Sequence, residues 1–310
     1  MGKISCFFSK CNFYTKFALK YKTQMILVAD SGSTKCDWIA IDKENNYQNT
    51  HTMGFNPFFH STELVISKLI ENKLFNTIKY SVEEIHFYGA GCSSKDRNEI
   101  IKKGLVAFFD KATTVIVDHD LTGAAVATSQ GEIGISCILG TGSNSCYFDG
   151  NAVHEEVPAL GYILGDEGSG SFFGKIMLSE WLYKRMPKEL AAAFQKKYDL
   201  SKEGIFEAVH KKENPNVYLA SFMPFVSEHR DHPYFKKMMF DGLSRFAEIH
   251  VLCYADYTTV PVNFVGSVAY YFKDVLEEVG RNHNFTVGKI EKRPVEPLAM
   301  YHYNQKQLTI

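Results

Sequence analysis

The 310-residue sequence contains no C-x-x-C pair and almost no net charge. It also has no apolar run approaching the ~20 residues of a membrane span. Its seven cysteines, at positions 6, 11, 36, 92, 137, 146 and 253, are odd in number and scattered. A disulfide framework is therefore excluded, and free thiols in a reducing cytoplasm are expected. Lys plus Arg number 34 against 35 Asp plus Glu, a net charge of −1. Residues 1–24 hold five lysines (Lys3, Lys10, Lys16, Lys20, Lys22) and no acid, so the rest of the chain sums to −6. An acidic body has no global attraction for nucleic acid or an anionic membrane. Residues 1–24 lack the unbroken apolar stretch of a secretory signal and read as an added or unstructured extension. A chain starting at Met25 is expected to keep its activity.

Several chemical signatures are missing as well. No G-x-G-x-x-G opens a helix after a strand, so a dinucleotide site is unsupported. The segment Gly168 to Ile176 approaches a Walker A loop but has Ser169 where Gly is needed and Ile176 where a hydroxyl would hold magnesium. His229-x-x-His232 has no accompanying ligand set and reads as a surface pair.

What the sequence does contain is an α/β pattern laid down twice, over a length that suits two domains. A strand at Ile26–Ala29 leads through Asp30-Ser31-Gly32-Ser33 into a strand at Asp37–Ile41. A third strand runs toward Gly54-Phe55-Asn56-Pro57. Helical spacing follows over 61–78, then a strand at Ile85–Tyr88, a helix over 98–109, and a strand at Thr114–Val117 ending on Asp118-His119-Asp120. The pattern restarts with a strand at Ile135–Leu139, the turn Gly140-Thr141-Gly142-Ser143, and a strand at Ser145–Phe148. Gly32-Ser33-x-x-Cys36 aligns with Gly142-Ser143-x-x-Cys146 at an offset of 110 residues, the mark of a duplication. A mostly helical stretch then precedes a strand at Val262–Val265 and a helix over 268–279.

Two turns of small residues, Asp30 to Lys35 and Gly140 to Asn144, allow a phosphate to approach the backbone closely, and their successive N–H groups make anion-binding concavities. Either alone is also compatible with an ordinary tight hairpin. Asp30, at a strand end, suits hydrated Mg²⁺.

The order Asp-x-Gly-x-Thr-Lys, Gly-Thr-Gly-Ser and a late strand–Gly266-Ser267–helix resembles the sugar kinase–actin–heat-shock-chaperone ATPase superfamily. Within it, Gly140-Thr-Gly-Ser-Asn144 and Gly161-Tyr-Ile-Leu-Gly-Asp-Glu-Gly-Ser169 resemble the N-acetylglucosamine kinase branch, which shares the BadF-type ATPase fold. The resemblance covers about residues 25–285. It implies two duplicated ribonuclease H-like (actin-like ATPase) domains with a nucleotide cleft between them. Their expected spans are 25–132 and 133–294, the second with a helical insertion, and 295–310 packing back on the first.

The resemblance further implies ATP and Mg²⁺ as cofactors. Phosphate contacts would come from Asp30, Gly32, Ser33, Thr34, Lys35, Gly140, Thr141, Gly142 and Ser143, adenosine contacts from Gly266 and Ser267, and a metal contact from Asp30. Asn56, Gly161, Tyr162 and Asp166 would bind the sugar, and Asp120 would be the general base. Asn56 is equally a turn residue, Asp120 equally a helix cap, and Asp118 lies two residues from Asp120 on the same face of an extended strand.

Two places depart from the family pattern: Ala90 stands where a hydroxyl is common, and residues 293–299 replace a Gly-rich turn behind the adenine. The implied activity is ATP-dependent phosphorylation of an amino sugar, N-acetylglucosamine first, in a cytoplasmic protein with no nucleic-acid or membrane partner; a homodimer stays open. The alternative is an ATPase activator of an electron-transfer partner, with Cys137 and Cys146 as cluster ligands. A sugar-sensing regulator would need a helix-turn-helix, for which residues 1–24 are too short.

Overall fold

The computed structural model describes residues 24–32 and 34–308. Ser33 and all of the expected extension except Gln24 therefore lie outside the described residues. Strands β1 (Met25–Ser31), β2 (Lys35–Asp42) and β3 (Tyr47–Met53) form an antiparallel meander. After helices α1 (Thr62–Glu71) and α2 (Lys73–Ile78), strand β4 (Val82–Gly89) pairs parallel to β1. Helix α3 (Lys95–Phe108) leads to β5 (Thr114–His119), which completes a sheet of order β3-β2-β1-β4-β5. Helix α4 (Asp120–Ser129) leads to the second sheet, where β6 (Gly134–Leu139), β7 (Ser143–Phe148) and β8 (Val153–His154) repeat the meander.

Seven helices separate β8 from the next strand: α5 (Gly161–Leu164), α6 (Gly170–Leu182), α7 (Lys188–Tyr198), α8 (Lys202–His210), α9 (Pro215–Ala220), α10 (Met223–Glu228) and α11 (Pro233–His250). Strand β9 (Val262–Val265) pairs parallel to β6. Helices α12 (Ser267–Tyr271) and α13 (Lys273–His283) precede β10 (Val287–Glu291), and α14 (Val295–Leu308) ends the described chain. The second sheet runs β8-β7-β6-β9-β10, the same order and the same parallel and antiparallel pattern as the first. Among the described residues no helix is long and apolar enough to cross a membrane.

The duplication holds for sheet order, but the 110-residue alignment does not survive the strand register. Cys36 stands opposite Ser31, the last residue of β1, whereas Cys146 stands opposite Ser136, three residues further from its turn. Three residues, rather than four, separate the paired ends Leu139 and Ser143 in the second hairpin. Matching Gly-Ser pairs by sequence thus superposes positions that the backbone does not.

Strand β1 is apolar without alternation because both of its faces are covered. Leu27 and Ala29 face a cluster with Trp38, Phe55 and Phe87, while Ile26 and Val28 face Leu298 and Ala299 of α14. The helix expected over 61–78 breaks at Asn72, whose extended backbone ends α1 and whose Oδ1 caps α2 by accepting from Phe75 N–H at 3.2 Å.

Helix α4 is built from small residues and is buried on almost every side. Its Leu121 and Ala125 pack on Cys146 and Phe148 of the second sheet, and its Val126 and Ala127 join the cluster under the first. Helix α14 is latched to the first sheet by a polar stack. His302 lies flat on His86 with ring centroids 3.5 Å apart and accepts from Tyr88 Oη at 2.9 Å. Glu84 holds His86 at 2.7 Å and Lys306 at 3.0 Å.

Candidate active site

A cleft of about 620 Å³ opens between the two sheets, at the ends of β1, β5 and β6. Most of its inner wall comes from the two hairpin turns and the segments that pack behind them. Of the residues expected from sequence, Asp30, Gly32, Asp120, Gly140, Thr141, Gly142, Ser143, Gly161, Tyr162, Asp166 and Gly266 line it. Thr34 is exposed on a bend, and Lys35 opens β2, where it pairs with Asp37 at 2.6 Å instead of reaching the cleft. Ser267 is exposed as the first residue of α12.

The expectation that Asp120 ends a strand is corrected. The strand stops at His119, which caps α4, and Asp120 is the first helical residue. The alternation that would have put Asp118 on the same face therefore does not continue. Asp118 accepts the His119 N–H at 2.7 Å and is not part of the cleft wall, whereas Asp120 is. A carboxylate in the first turn of a helix sits in the favourable field of the helix N-terminus.

The electrostatics of the inner wall are dominated by carboxylates. Burial, then the charges of Asp120 and Asp37, push Asp30 up to about 7. Burial also raises Asp120, against the opposing effect of His119, whose Nδ1 lies 3.3 Å from it. Asp30 has no cationic partner among the described residues. Asp30 and Asp120 are half-buried, and Asp120 has only His119 beside it, a setting that a divalent cation would stabilise; Mg²⁺ uses few carboxylates alongside water and phosphate oxygens. Among the described residues no three His, Cys, Asp or Glu side chains gather into a metal cage.

The second phosphate-type loop is braced from behind. Gly170 N–H donates to Gly140 O at 2.8 Å and Ser171 N–H to Thr141 O at 3.1 Å, so the start of α6 holds the turn open. The near-Walker segment is thus the capped first turns of this helix: Ser169 Oγ accepts from Phe172 N–H at 3.2 Å. Its Gly174 lets α6 approach Leu219, whose carbonyl would lie 2.1 Å from an added Cβ. Gly266 has φ +117°, and a Cβ there would sit 2.4 Å from Leu139 O, which brings the late Gly-Ser turn against the phosphate-type loop.

Asp166 is itself in the left-handed region, with φ +58°. Its Oδ1 accepts the Ser143 N–H at 3.2 Å, and its carboxylate packs so close to Gly142 that an added Cβ there would lie 3.0 Å from Oδ2 and push it aside. The expected sugar contact therefore also touches the phosphate-type loop. Burial raises the Asp166 carboxyl. Lys175, beside Asp166 and Glu167, donates to Tyr162 O and so ties α6 to the 161–167 segment.

On the other wall, Asn56 is buried just behind the cleft surface, accepting Phe58 N–H on Oδ1 at 3.0 Å. Gly91, at φ +83°, is where the cleft lining meets it. Ser31 joins this corner to β1, its Oγ accepting Phe55 N–H at 2.9 Å. Ala90 lines the cleft without a hydroxyl, and Ser93, three residues on, also lines it and accepts from Arg97 at 2.9 Å. In place of the Gly-rich turn, Lys292 and Pro294 form part of the wall just before α14 starts at Val295.

Sequence reasoning also passed over Phe58, His119, Glu155 and Asn216, all of which line the cleft. His119 lay between two singled-out aspartates and was legible. Asn216 lies in the helical insertion, where nothing in the sequence marks it.

Comparison of folds finds a candidate N-acetylglucosamine kinase from Porphyromonas gingivalis at 36% identity and TM-score 0.87, over 91% of this chain and 100% of that one. Another candidate N-acetylglucosamine kinase, from Chromobacterium violaceum, shares the fold at 14% identity and TM-score 0.66, over 91% of this chain and 99% of that one. So does a ROK-family glucokinase from Streptomyces griseus, in complex with glucose and AMPPNP, at 14% identity and TM-score 0.53, over 91% and 98%. No family model and no curated protein matches the chain. Two sheets of one order closing on a shared cleft define the class of sugar kinase–actin–heat-shock-chaperone ATPases, and among these the protein falls with the ATP-dependent sugar kinases. Within that class, the chain belongs to the N-acetylglucosamine kinase and BadF-type ATPase family.

Proposed function

We propose that the protein transfers the γ-phosphoryl group of ATP to a hydroxyl of an amino sugar, with N-acetylglucosamine as the first candidate. The observation that carries this reading is the position of Asp120. It stands at the start of α4, in one cleft with both small-residue loops and with the Asp166 segment. In the reaction, the Asp120 carboxylate takes the proton of the sugar hydroxyl as its oxygen bonds to the γ-phosphorus. The bond from the γ-phosphorus to the β,γ-bridging oxygen breaks, and its electron pair leaves with ADP. Catalysis of this kind is mostly positioning and charge stabilisation.

The amides of residues 140–143 and of Gly32 cradle the phosphates and Gly266 flanks the adenosine, while Thr34 and Ser267, exposed beside the cleft, would have to turn inward to join them. Lys35, held by Asp37, would have to exchange that partner to reach a phosphate. Magnesium, when bound with the nucleotide, supplies the positive charge that Asp30 and its neighbours lack; Asp30 is the residue to hold it. Gly161, Tyr162 and Asp166 face the sugar, Asn56 supports that wall from behind Gly91 and would have to be uncovered to reach it, and the Phe58 ring, backed by Arg97 at 3.8 Å, offers an apolar surface beside them. Residues 25–132 with 295–310, and residues 133–294, act as two lobes that close to exclude water. A cytoplasmic location and a homodimer complete the reading.

The activator alternative is disfavoured by the placement of its ligands. Cys137 and Cys146 are wholly buried in β6 and β7, where burial raises both thiols, Cys146 up to about 12. Thiols so placed are poor cluster ligands at a subunit surface.

The test is ATP turnover against a panel of amino and neutral hexoses, with the product located by NMR. Sugar-dependent ADP release with N-acetylglucosamine at the head of the panel is expected. ATP hydrolysis that no sugar stimulates, or iron in the purified protein, would overturn the proposal.

A further inference from the structure

We propose that Lys292 is a nucleotide ligand that pairs with the α- or β-phosphate. The inference rests on the ATP reading of the cleft. Its starting point is a charge imbalance: the wall carries the carboxylates of Asp30, Asp120, Glu155 and Asp166, and the one Lys or Arg among its described lining residues is Lys292. A polyphosphate entering such a cleft meets repulsion from most directions and a fixed positive charge from one.

The root of Lys292 is well placed and rigid. Glu291, the last residue of β10, pairs with Val265 and accepts the Gly266 N–H at 2.9 Å. Gly266 in turn lies against Leu139 and Gly140. Lys292 therefore emerges where the late Gly-Ser turn meets the second phosphate-type loop, the junction of adenosine and phosphates in the proposed mode. Pro294 and Val295, just after it, are buried and fix the backbone on that side.

The ammonium is poised to exchange partners. It donates to Tyr271 Oη at 2.6 Å and lies 4.5 Å from the Tyr271 ring centroid and 5.4 Å from that of Tyr270. It has no carboxylate partner among the described residues. A lysine held by a neutral phenol and two aromatic faces loses little on moving to a phosphate oxygen, because the donated hydrogen bond is kept and the attraction of an opposite charge is added. The tyrosines, which lie outside the cleft wall, hold the ammonium without neutralising it.

The experiment measures binding of ADP, a non-hydrolysable ATP analogue and adenosine to the full-length protein by calorimetry. Lys292→Met is expected to weaken ADP and the ATP analogue by a similar factor, about 10- to 100-fold, and to leave adenosine unchanged. The salt dependence of ADP binding should flatten in the same variant, and Lys292→Arg should restore most of the affinity. In turnover, KM for ATP rises while kcat and KM for the sugar stay within about twofold, since the contact is made equally before and during transfer. Tyr271→Phe, which removes only the holding hydroxyl, should not weaken ADP. Unchanged ADP affinity in Lys292→Met overturns the proposal, as does equal loss of adenosine or an equal loss in Tyr271→Phe, either of which would mean a structural role. A wild-type protein that binds no adenine nucleotide would overturn the ATP reading itself.

Discussion

Asp120 is held by its own backbone position: capped by His119, begun on a helix end, and buried enough that its charge is costly. As the proposed base it must be ionised. Its raised pKa therefore predicts that kcat/KM falls with decreasing pH from a point above the ordinary carboxylate range, while Asp120→Asn lowers kcat about 10²- to 10⁴-fold at every pH. Steady-state kinetics across pH 5–9 reads both, and an unaltered acid limb in the variant would point to another base. On the sugar side, Gly91→Ala adds a Cβ 2.5 Å from Asn56 Oδ1 at a backbone φ of +83°. The expected result is a KM for the sugar raised about tenfold or more with ADP affinity retained, measurable by calorimetry with each ligand separately. At this scale the sequence was readable wherever small residues follow a strand: Asp30, Gly32 and residues 140–143 were found that way. Lys292 and Asn216 were not, because their neighbours in space come from distant segments and no local pattern announces them.

Among elements, α4 and α14 show what periodicity conceals. Helix α4 is covered on nearly all sides, so it has no polar face to betray its turn. Helix α14 carries Pro297 in its first turn, a position without an intrahelical N–H donor to lose, so a residue usually read as a breaker is tolerated. Strands β8 and β10 went unread because one is two residues long and the other is broken by Gly288.

The α14 latch makes a pH prediction. Burial and the neighbouring His86 push His302 down to about 3, below its unfolded value near 6.5. A group depressed in this way favours the folded state above pH 6.5 and loses that contribution as pH falls toward 3. Melting temperature should therefore drop between pH 7 and pH 5, and His302→Gln, which keeps a partner for Tyr88 but does not titrate, should flatten the slope. In α6, Gly174→Ala forces the helix away from Leu219 and is expected to cost about 1–3 kcal/mol of stability in a denaturant titration. A phosphate-loop role for this segment would instead spare stability and remove nucleotide binding.

For the whole molecule, two sheets of identical order explain why the second hairpin could be found from the first, and the strand register explains why residue-by-residue alignment between them failed. Hairpins tolerate a one-residue change in turn length without losing their place in a sheet, so order outlasts spacing. Closure of the proposed lobes predicts a smaller radius of gyration by small-angle scattering when sugar and a non-hydrolysable ATP analogue are both present. An unchanged scattering profile would remove water exclusion by closure from the mechanism.

Helix α4 packs on both sheets, with Leu121 and Ala125 on the second and Gly123, Val126 and Ala127 on the first, so any turning of the proposed lobes would have to slide along it. Asp120 begins that same helix. The proposed proton acceptor follows β5 of the first lobe without a linker, so if the lobes part to release product it would travel with that wall, away from the second phosphate-type loop. Closing alone would then bring the base back to the phosphates, because the helix that carries it is already formed in the first lobe.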